Sequence, residues 1–180
     1  MHETTTPNEE QISVRPVQYE DIPSLSAMAG RLFWEAFTGK MPEADLLAYI
    51  AVAFTPEKML IEWKEKNNTF LLAFFGQEQA GYAKINTSRR IERQEIEKYI
   101  EMERLYLFKQ FHGKKIGAFL MNHCLQYAKD NGFDMIWLNV WERNTAAIEF
   151  YQRWGFQMVD WTIMMRGNDP QKALWMKKHL

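Results

Sequence analysis

Between Met102 and Val140 the chain runs through an apolar segment, a glycine-bearing turn, an amphipathic segment and a second apolar segment. Leu105, Tyr106, Leu107 and Phe108 lead into His112–Gly117, which reads HGKKIG. A helix then begins at Ile116, presents Ile116, Leu120, Cys124 and Tyr127 on one face, and stops at Asn131-Gly132. Phe133 to Val140 follows as a largely apolar run, suited to a strand buried on both faces. A strand-helix-strand unit of this kind leaves few folds open. Its strands lie parallel in one sheet with a right-handed crossover, and ligands of such sheets bind at the carboxyl ends of the strands.

The turn itself has the chemistry of a phosphate holder. Backbone amides at a helix start lack intrahelical acceptors, and the helix dipole adds partial positive charge to that of Lys114 and Lys115. The chain contains neither G-x-x-x-x-G-K-[ST] nor G-x-G-x-x-G, which sets aside nucleotide-triphosphatase loops and dinucleotide fingerprints. An ordinary helix start with solvated lysines explains the same residues equally well.

With 180 residues and 47% hydrophobic content, the expectation is one domain over 11–180, preceded by a flexible tail over 1–10. The formal net charge of -1 gives no electrostatic case for nucleic acid or a membrane surface as partner. One cysteine, Cys124, excludes an intrachain disulfide framework, and His2, His112, His123 and His179 do not pair with cysteines at zinc-site spacing, so no metal is expected. Met1 to Gln11 is polar, and no run reaches membrane-spanning length, so the expectation is a soluble cytoplasmic protein, monomeric or homodimeric.

Upstream, Ile12 to Val17 reads as a short strand, and Ile22, Leu25, Met28, Ala29, Leu32, Phe33 and Ala36 recur at helical spacing. A second helical region spans Pro42 to about Asn67, interrupted where Thr55 can cap and Pro56 can occupy the first helical position. TFLLAFF (Thr69–Phe75) and QAGYAKI (Gln79–Ile85) predict an antiparallel hairpin around Gly76. Asn86 to Lys98 is a charged connection or short helix; its run Arg89, Arg90, Glu92, Arg93, Glu95 reads as exposure. Downstream, Asn144 can cap a helix that stops at Trp154-Gly155, and Phe156–Met164 with Ala173–Met176 form a last strand pair across Gly167-Asn168-Asp169-Pro170.

One irregularity is legible in the strand before the turn. Met102 and Leu107 are an odd number of residues apart, so strict alternation cannot place both on one face. A β-bulge near Glu103 to Arg104 reconciles them, and bulges often re-aim groups beside active sites.

The run from Leu105 through HGKKIG, followed by IWLNVWERNTAAIEFYQRWGF (Ile136 to Phe156), resembles the GNAT superfamily of acetyl-CoA-dependent N-acetyltransferases. The turn corresponds to the motif Q/R-x-x-G-x-G/A, and Asn144 to Phe156 to N-x-x-A-x-x-F-Y-x-x-x-G-F. EMERLYLFKQFHGKKIG, WLNVWERN and GNDPQKALWMKKHL are similar to the PaiA-type polyamine acetyltransferases. The resemblance implies an α/β fold: a central mixed, mostly antiparallel twisted sheet of six to seven strands, flanked by helices and splayed at the cofactor-binding strands. It also implies acetyl-CoA held by Leu105, Tyr106, Leu107, His112, Gly113, Lys114, Lys115, Ile116, Gly117, Ala118, Asn144, Ala147 and Tyr151. The chain departs from the motif in having His112 for Gln or Arg and Lys115 for Gly; an ordinary backbone conformation is expected at Lys115.

Acetyl transfer requires a deprotonated amine, although an alkylammonium has a pKa of roughly 10.4. Glu103, on the bulged strand, is the leading candidate base and Glu101 the second. A backbone amide released by the bulge could hold the oxyanion. By resemblance Tyr151 lies near the CoA sulfur and acts as general acid; an aromatic packed between helix and sheet is its plain alternative. Phe33, Trp34 and Phe37, with Glu35, Tyr82 and Trp141, form the candidate acceptor site, because aromatic and acidic groups suit a cationic amine, although Phe33 and Phe37 also stand at core spacing. Cys124 reads as buried. The expected activity is transfer to a small primary amine, favouring a polyamine such as spermidine. A protein N-terminal or lysine amine is the alternative acceptor, and a non-catalytic acyl-CoA-binding regulator the alternative class.

Overall fold

The computed structural model describes residues 11–87, 98–166 and 169–180. The expected tail, the charged run over 89–95 and Gly167-Asn168 lie outside the described residues. Seven strands form one sheet in the order β1-β2-β3-β4-β5-β7-β6. They are β1 (Ile12–Pro16), β2 (Asn68–Phe75), β3 (Glu78–Asn86), β4 (Tyr99–Leu107), β5 (Met135–Trp141), β6 (Gln157–Arg166) and β7 (Asp169–His179). The helices are α1 (Ile22–Phe37), α2 (Glu43–Ala53), α3 (Pro56–Lys64), α4 (Ile116–Asp130) and α5 (Thr145–Arg153). The last strand pair is longer than its apolar residues alone indicate, with pairing that runs from Gln157 opposite Lys177 to Arg166 opposite Asp169.

Local signals act as anticipated at several junctions. Thr55 Oγ1 accepts from the Lys58 amide at 3.1 Å and Pro56 opens α3, which divides the second helical region. Before α1, the Arg15 guanidinium grips both oxygens of Asp21 at 2.6 and 2.8 Å, tying β1 to the helix start.

The two helical layers are separated by the alternation of strand side chains. Asn68 donates to the Glu62 carbonyl at the end of α3, whereas the next residue, Thr69, bonds the Tyr127 hydroxyl of α4 at 2.9 Å. Successive strand residues point to opposite faces, so α3, with α1 and α2 packed on it, covers one face and α4 the other. The buried core includes Leu25, Leu32, Leu72, Ile85, Ile100, Leu120 and Met135.

Every neighbouring pair of strands is antiparallel except β4 and β5. Those two pair in parallel only over Tyr99–Glu101 against Met135–Trp137, although β4 runs on to Leu107 and β5 to Trp141. The sheet therefore opens into a V whose vertex is Glu101 and Trp137. On the other side of β4 the register passes from Lys84 opposite Arg104 to Ile85 opposite Met102, leaving Glu103 as the extra residue of a bulge. This is the bulge that the spacing of Met102 and Leu107 requires. It turns Glu103 and Arg104 to the same side, toward α3. Opposite Leu107, Gly81 is obligatory: a Cβ there would lie 2.2 Å from the Tyr106 carbonyl oxygen.

Candidate active site

Two halves of a site meet at the V. On the α4 side, the turn after β4 folds back on itself: His112 Nε2 donates to the Leu107 carbonyl at 3.2 Å, and Gly113 has φ +78°. Gly117 packs α4 closely on β4 and α5, since a Cβ would meet Leu107 at 3.1 Å and the Phe150 ring at 3.7 Å. The Ala118 amide donates to the Lys115 carbonyl at 2.9 Å, and the amides ahead of it are those that a helix start offers to a pyrophosphate.

The two lysines of the turn differ from expectation and from each other. Lys114 Nζ lies 4.6 Å from the centre of the Phe75 ring and 5.4 Å from that of Phe111, so its charge rests on aromatic faces. Lys115 has φ +62°, in the left-handed region, and the expected ordinary conformation is wrong. The turn keeps the backbone path that a glycine would follow, and the lysine adopts it at a steric cost. Lys115→Gly is expected to raise stability by roughly 0.5–1 kcal/mol, the relief of strain less the added unfolded-state entropy, as read by urea denaturation.

The α5 side supplies Asn144, whose side chain accepts from the Ala147 amide at 3.4 Å and so starts the helix. Further along α5, Tyr151 is buried against Phe150 and Phe156, with ring centroids at 5.6 and 5.7 Å. Burial, with Tyr106 and Cys124 nearby, pushes its hydroxyl well above the ordinary tyrosine value, so it holds its proton at neutral pH. Cys124 is buried on α4, as expected, and burial drives its thiol up to about 12, far from a thiolate nucleophile.

On the α1–α3 side the V opens into a cavity of about 210 Å³. Phe33 from α1, with Tyr49 and Phe54 in and just after α2, forms its aromatic wall; the Phe33 and Tyr49 rings stack at 4.8 Å. Glu101, Glu103 and Arg104 come from β4, and Asn139 and Trp141 from β5. Met164, Met165, Gln171 and Ala173 close the far end.

Of the expected acceptor residues, Phe33 and Trp141 line this cavity, and Phe37 packs on Trp141 at 6.0 Å. Trp34 and Glu35 do not. Successive helix residues diverge by about 100°, and these two face a groove shared with Arg31 and Leu47, where the Glu35 carboxylate accepts from the Lys109 amide at 3.3 Å. Tyr82 is fully buried beside Tyr106 and lies outside the cavity lining; burial raises its hydroxyl, offset in part by Arg104.

Beneath the cavity lies an ion cluster. Lys84, 4% exposed, places Nζ 2.9 Å from Glu62 and 3.0 Å from Glu103. Arg104 approaches the same carboxylates at 3.1 and 3.4 Å and lies over the Phe54 ring at 5.3 Å. Burial alone would raise the Glu62 carboxyl, but Arg104 and Lys84 outweigh it and hold it below its ordinary value of 4.5. Asp21 is likewise lowered, chiefly by its hydrogen bond with Arg15. A lowered carboxyl contributes stability above its unfolded pKa and loses it as pH falls through the folded value. Thermal melts are therefore expected to hold near neutrality and to fall steeply below about pH 4.

Among the described residues, no group of three or more His, Cys, Asp or Glu side chains is placed to hold a metal ion, and no helix is long and apolar enough to cross a membrane. The mixed sheet, splayed between β4 and β5, has a helix start on one side of the V and an acid-bearing aromatic cavity on the other. The acetyltransferase (GNAT) family model matches residues 29–156, and the chain belongs to that family of acetyl-CoA-using N-acetyltransferases. It is 26% identical over 149 residues to a spermidine N(1)-acetyltransferase of Thermoplasma acidophilum, covering 83% of this chain and 90% of that one. An uncharacterised N-acetyltransferase of Lactobacillus delbrueckii subsp. lactis is 24% identical over 94% of this chain and 98% of its own length. The fold is similar to that of the PaiA N-acetyltransferase of Thermoplasma acidophilum, solved in complex with coenzyme A, at TM-score 0.77 and 24% identity over 94% and 99% of the two chains.

Proposed function

We propose that this chain transfers the acetyl group of acetyl-CoA directly to a small primary amine, with a polyamine such as spermidine favoured. The observation that carries the reading is the V at Glu101–Trp137, which joins the α4 turn to the carboxylate-bearing cavity. A thioester lying between β4 and β5 would have its carbonyl beside the bulge at Glu103 and an amine waiting in the cavity. The spermidine-acetylating relative supports the choice of acceptor.

The residues divide the work as follows. The first-turn amides of α4 hold the pyrophosphate, with Gly113 supplying the left-handed turn before them and Gly117 seating the helix on β4 and α5. The strand from Leu105 to Leu107 aligns the pantetheine arm, and a β4 amide at the bulge donates to the developing oxyanion. Tyr151, protonated by virtue of its burial, gives its proton to the departing sulfur and recovers one from the attacking nitrogen, which sheds its surplus proton as the amide forms. The proton of the incoming ammonium goes through water to a carboxylate of the cavity. Glu103 is the leading candidate by its place on the bulged strand, but its oxygens are engaged by Lys84 and Arg104, so a proton arriving there would displace a cation. Glu101, at the vertex and also lining the cavity, is the second candidate.

Steady-state kinetics with spermidine, butylamine and a short peptide with a free N-terminus test the acceptor. Spermidine is expected to give the highest kcat/KM by about tenfold or more. A peptide that equals or exceeds it overturns the polyamine assignment in favour of a protein amine.

A further inference from the structure

β5 is apolar except at its fifth residue: Trp137, Leu138, Val140 and Trp141 are buried, and Asn139 stands among them. Asn139 lies two residues beyond Trp137, where the parallel pairing ends, just as Glu103 lies two residues beyond Glu101. The two thus stand across the V from each other, and both line the cavity. The Asn139 Oδ1 atom is buried and has no hydrogen-bond partner among the described residues. Trp175, its register partner on β7, does not supply one: the Trp175 indole N–H is itself without an acceptor among them. The guanidinium that lines the cavity, that of Arg104, is engaged by Glu62 and Glu103.

A buried, unsatisfied amide oxygen costs stability, and folded chains rarely keep one without a use. Asn139 lines the cavity that also receives Glu101 and Glu103, and a hydrogen-bond donor of cationic or amine character suits that lining. We infer that Asn139 is a positioning residue for the acceptor: its Oδ1 accepts a hydrogen bond from the reacting nitrogen. One N–H is then held on the β5 side while the lone pair points across the V toward the thioester at the bulge. This rests on the acetyl-transfer reading above and adds to it the group that orients the nucleophile. No covalent step passes through Asn139; it loses nothing and gains nothing in the reaction.

Asn139→Leu keeps the branching and heavy-atom count of the side chain and removes the unsatisfied oxygen, so the variant is expected to melt at or above the temperature of the parent. Its kcat/KM for spermidine and for butylamine is expected to fall about tenfold or more, with the Kd for acetyl-CoA unchanged. Asn139→Asp, which keeps an acceptor oxygen in place, is expected to retain most of the kcat/KM for both amines. Calorimetric titration of spermidine into the parent and into the Asn139→Leu variant, each saturated with CoA, reads the same contact without turnover, and the variant is expected to bind the amine about tenfold more weakly. An amine kcat/KM within twofold of the parent in Asn139→Leu overturns the inference, as does an equal loss in Asn139→Asp, or a lowered melting temperature with weakened acetyl-CoA binding, which marks a packing role. A parent protein that acetylates no amine overturns the functional reading itself, a result distinct from any of these.

Discussion

Tyr151→Phe is expected to lower kcat by about a hundredfold while leaving the Kd for acetyl-CoA nearly unchanged, since a positioned general acid contributes roughly 10²–10⁴. The ring packs on Phe150 and Phe156, and phenylalanine preserves that packing, so the melting temperature should not move appreciably. On the proposed mechanism, what is lost is one proton donor. Burial lifts the hydroxyl above the ordinary value of 10.0, so it stays protonated throughout the working range, and Tyr151 should contribute no basic limb to the pH–rate profile below about pH 10. Rapid-quench measurement of the single-turnover rate, with separate titration of acetyl-CoA, distinguishes this from a binding defect. An unchanged kcat removes Tyr151 from the chemistry and leaves it as packing.

Lys84→Met has the largest expected effect on stability. Lys84 is almost wholly buried, and its ammonium is shared by Glu62 and Glu103 from α3 and β4. Removing one partner of a buried ion cluster leaves the others uncompensated, at a cost of about 3–5 kcal/mol. For a domain of this size that is a fall of roughly 6–20 °C in Tm. Arg104 still neutralises part of the remaining charge, which sets the lower end of the range. Adding Glu62→Gln to Lys84→Met removes one of the stranded carboxylates and is expected to restore part of the loss, a coupling that a double-mutant cycle reads directly. A single-variant loss below about 1 kcal/mol contradicts the view that this cluster holds α3 to the floor of the cavity.

The parts of the molecule that are legible in advance are those where local sequence and tertiary context agree. The βαβ unit, the cap at Thr55 and the helix start at Asn144 are written in a few contiguous residues each, and the structure forms all three. The bulge is readable from the mismatch between Met102 and Leu107 because side-chain parity along a strand admits few other solutions. The cavity proposed for the acceptor is only half readable. Phe33 and Trp141 stand on elements whose direction the periodicity fixes, but α1 also carries Trp34 and Glu35, and composition alone does not say which of three adjacent residues faces the sheet.

Tyr49, Met164, Met165 and Gln171 converge on the cavity from segments far apart in the chain, with no local pattern to announce them. A lone polar residue in an apolar strand is the one signal available for Asn139. Lys84 gives a comparable signal, a charge within an alternating apolar strand, but its partners Glu62 and Glu103 become apparent only once α3 is laid on β3 and β4. At Lys115 the motif is informative in a different way. The glycine usual at that position marks a positive φ, and the chain keeps the φ without the glycine.

Amine-dependent turnover of acetyl-CoA is the central expectation for this chain. The direct measurement is the release of free CoA thiol from acetyl-CoA by the purified protein, followed with a thiol-reactive chromophore in the presence and absence of spermidine. Thiol release that rises with spermidine to saturation, matched mole for mole by N-acetylated amine, is the predicted result. Tight binding of acetyl-CoA with no amine-dependent release, across spermidine, butylamine and a free N-terminal peptide, would contradict it and make the chain a binding module of the same fold.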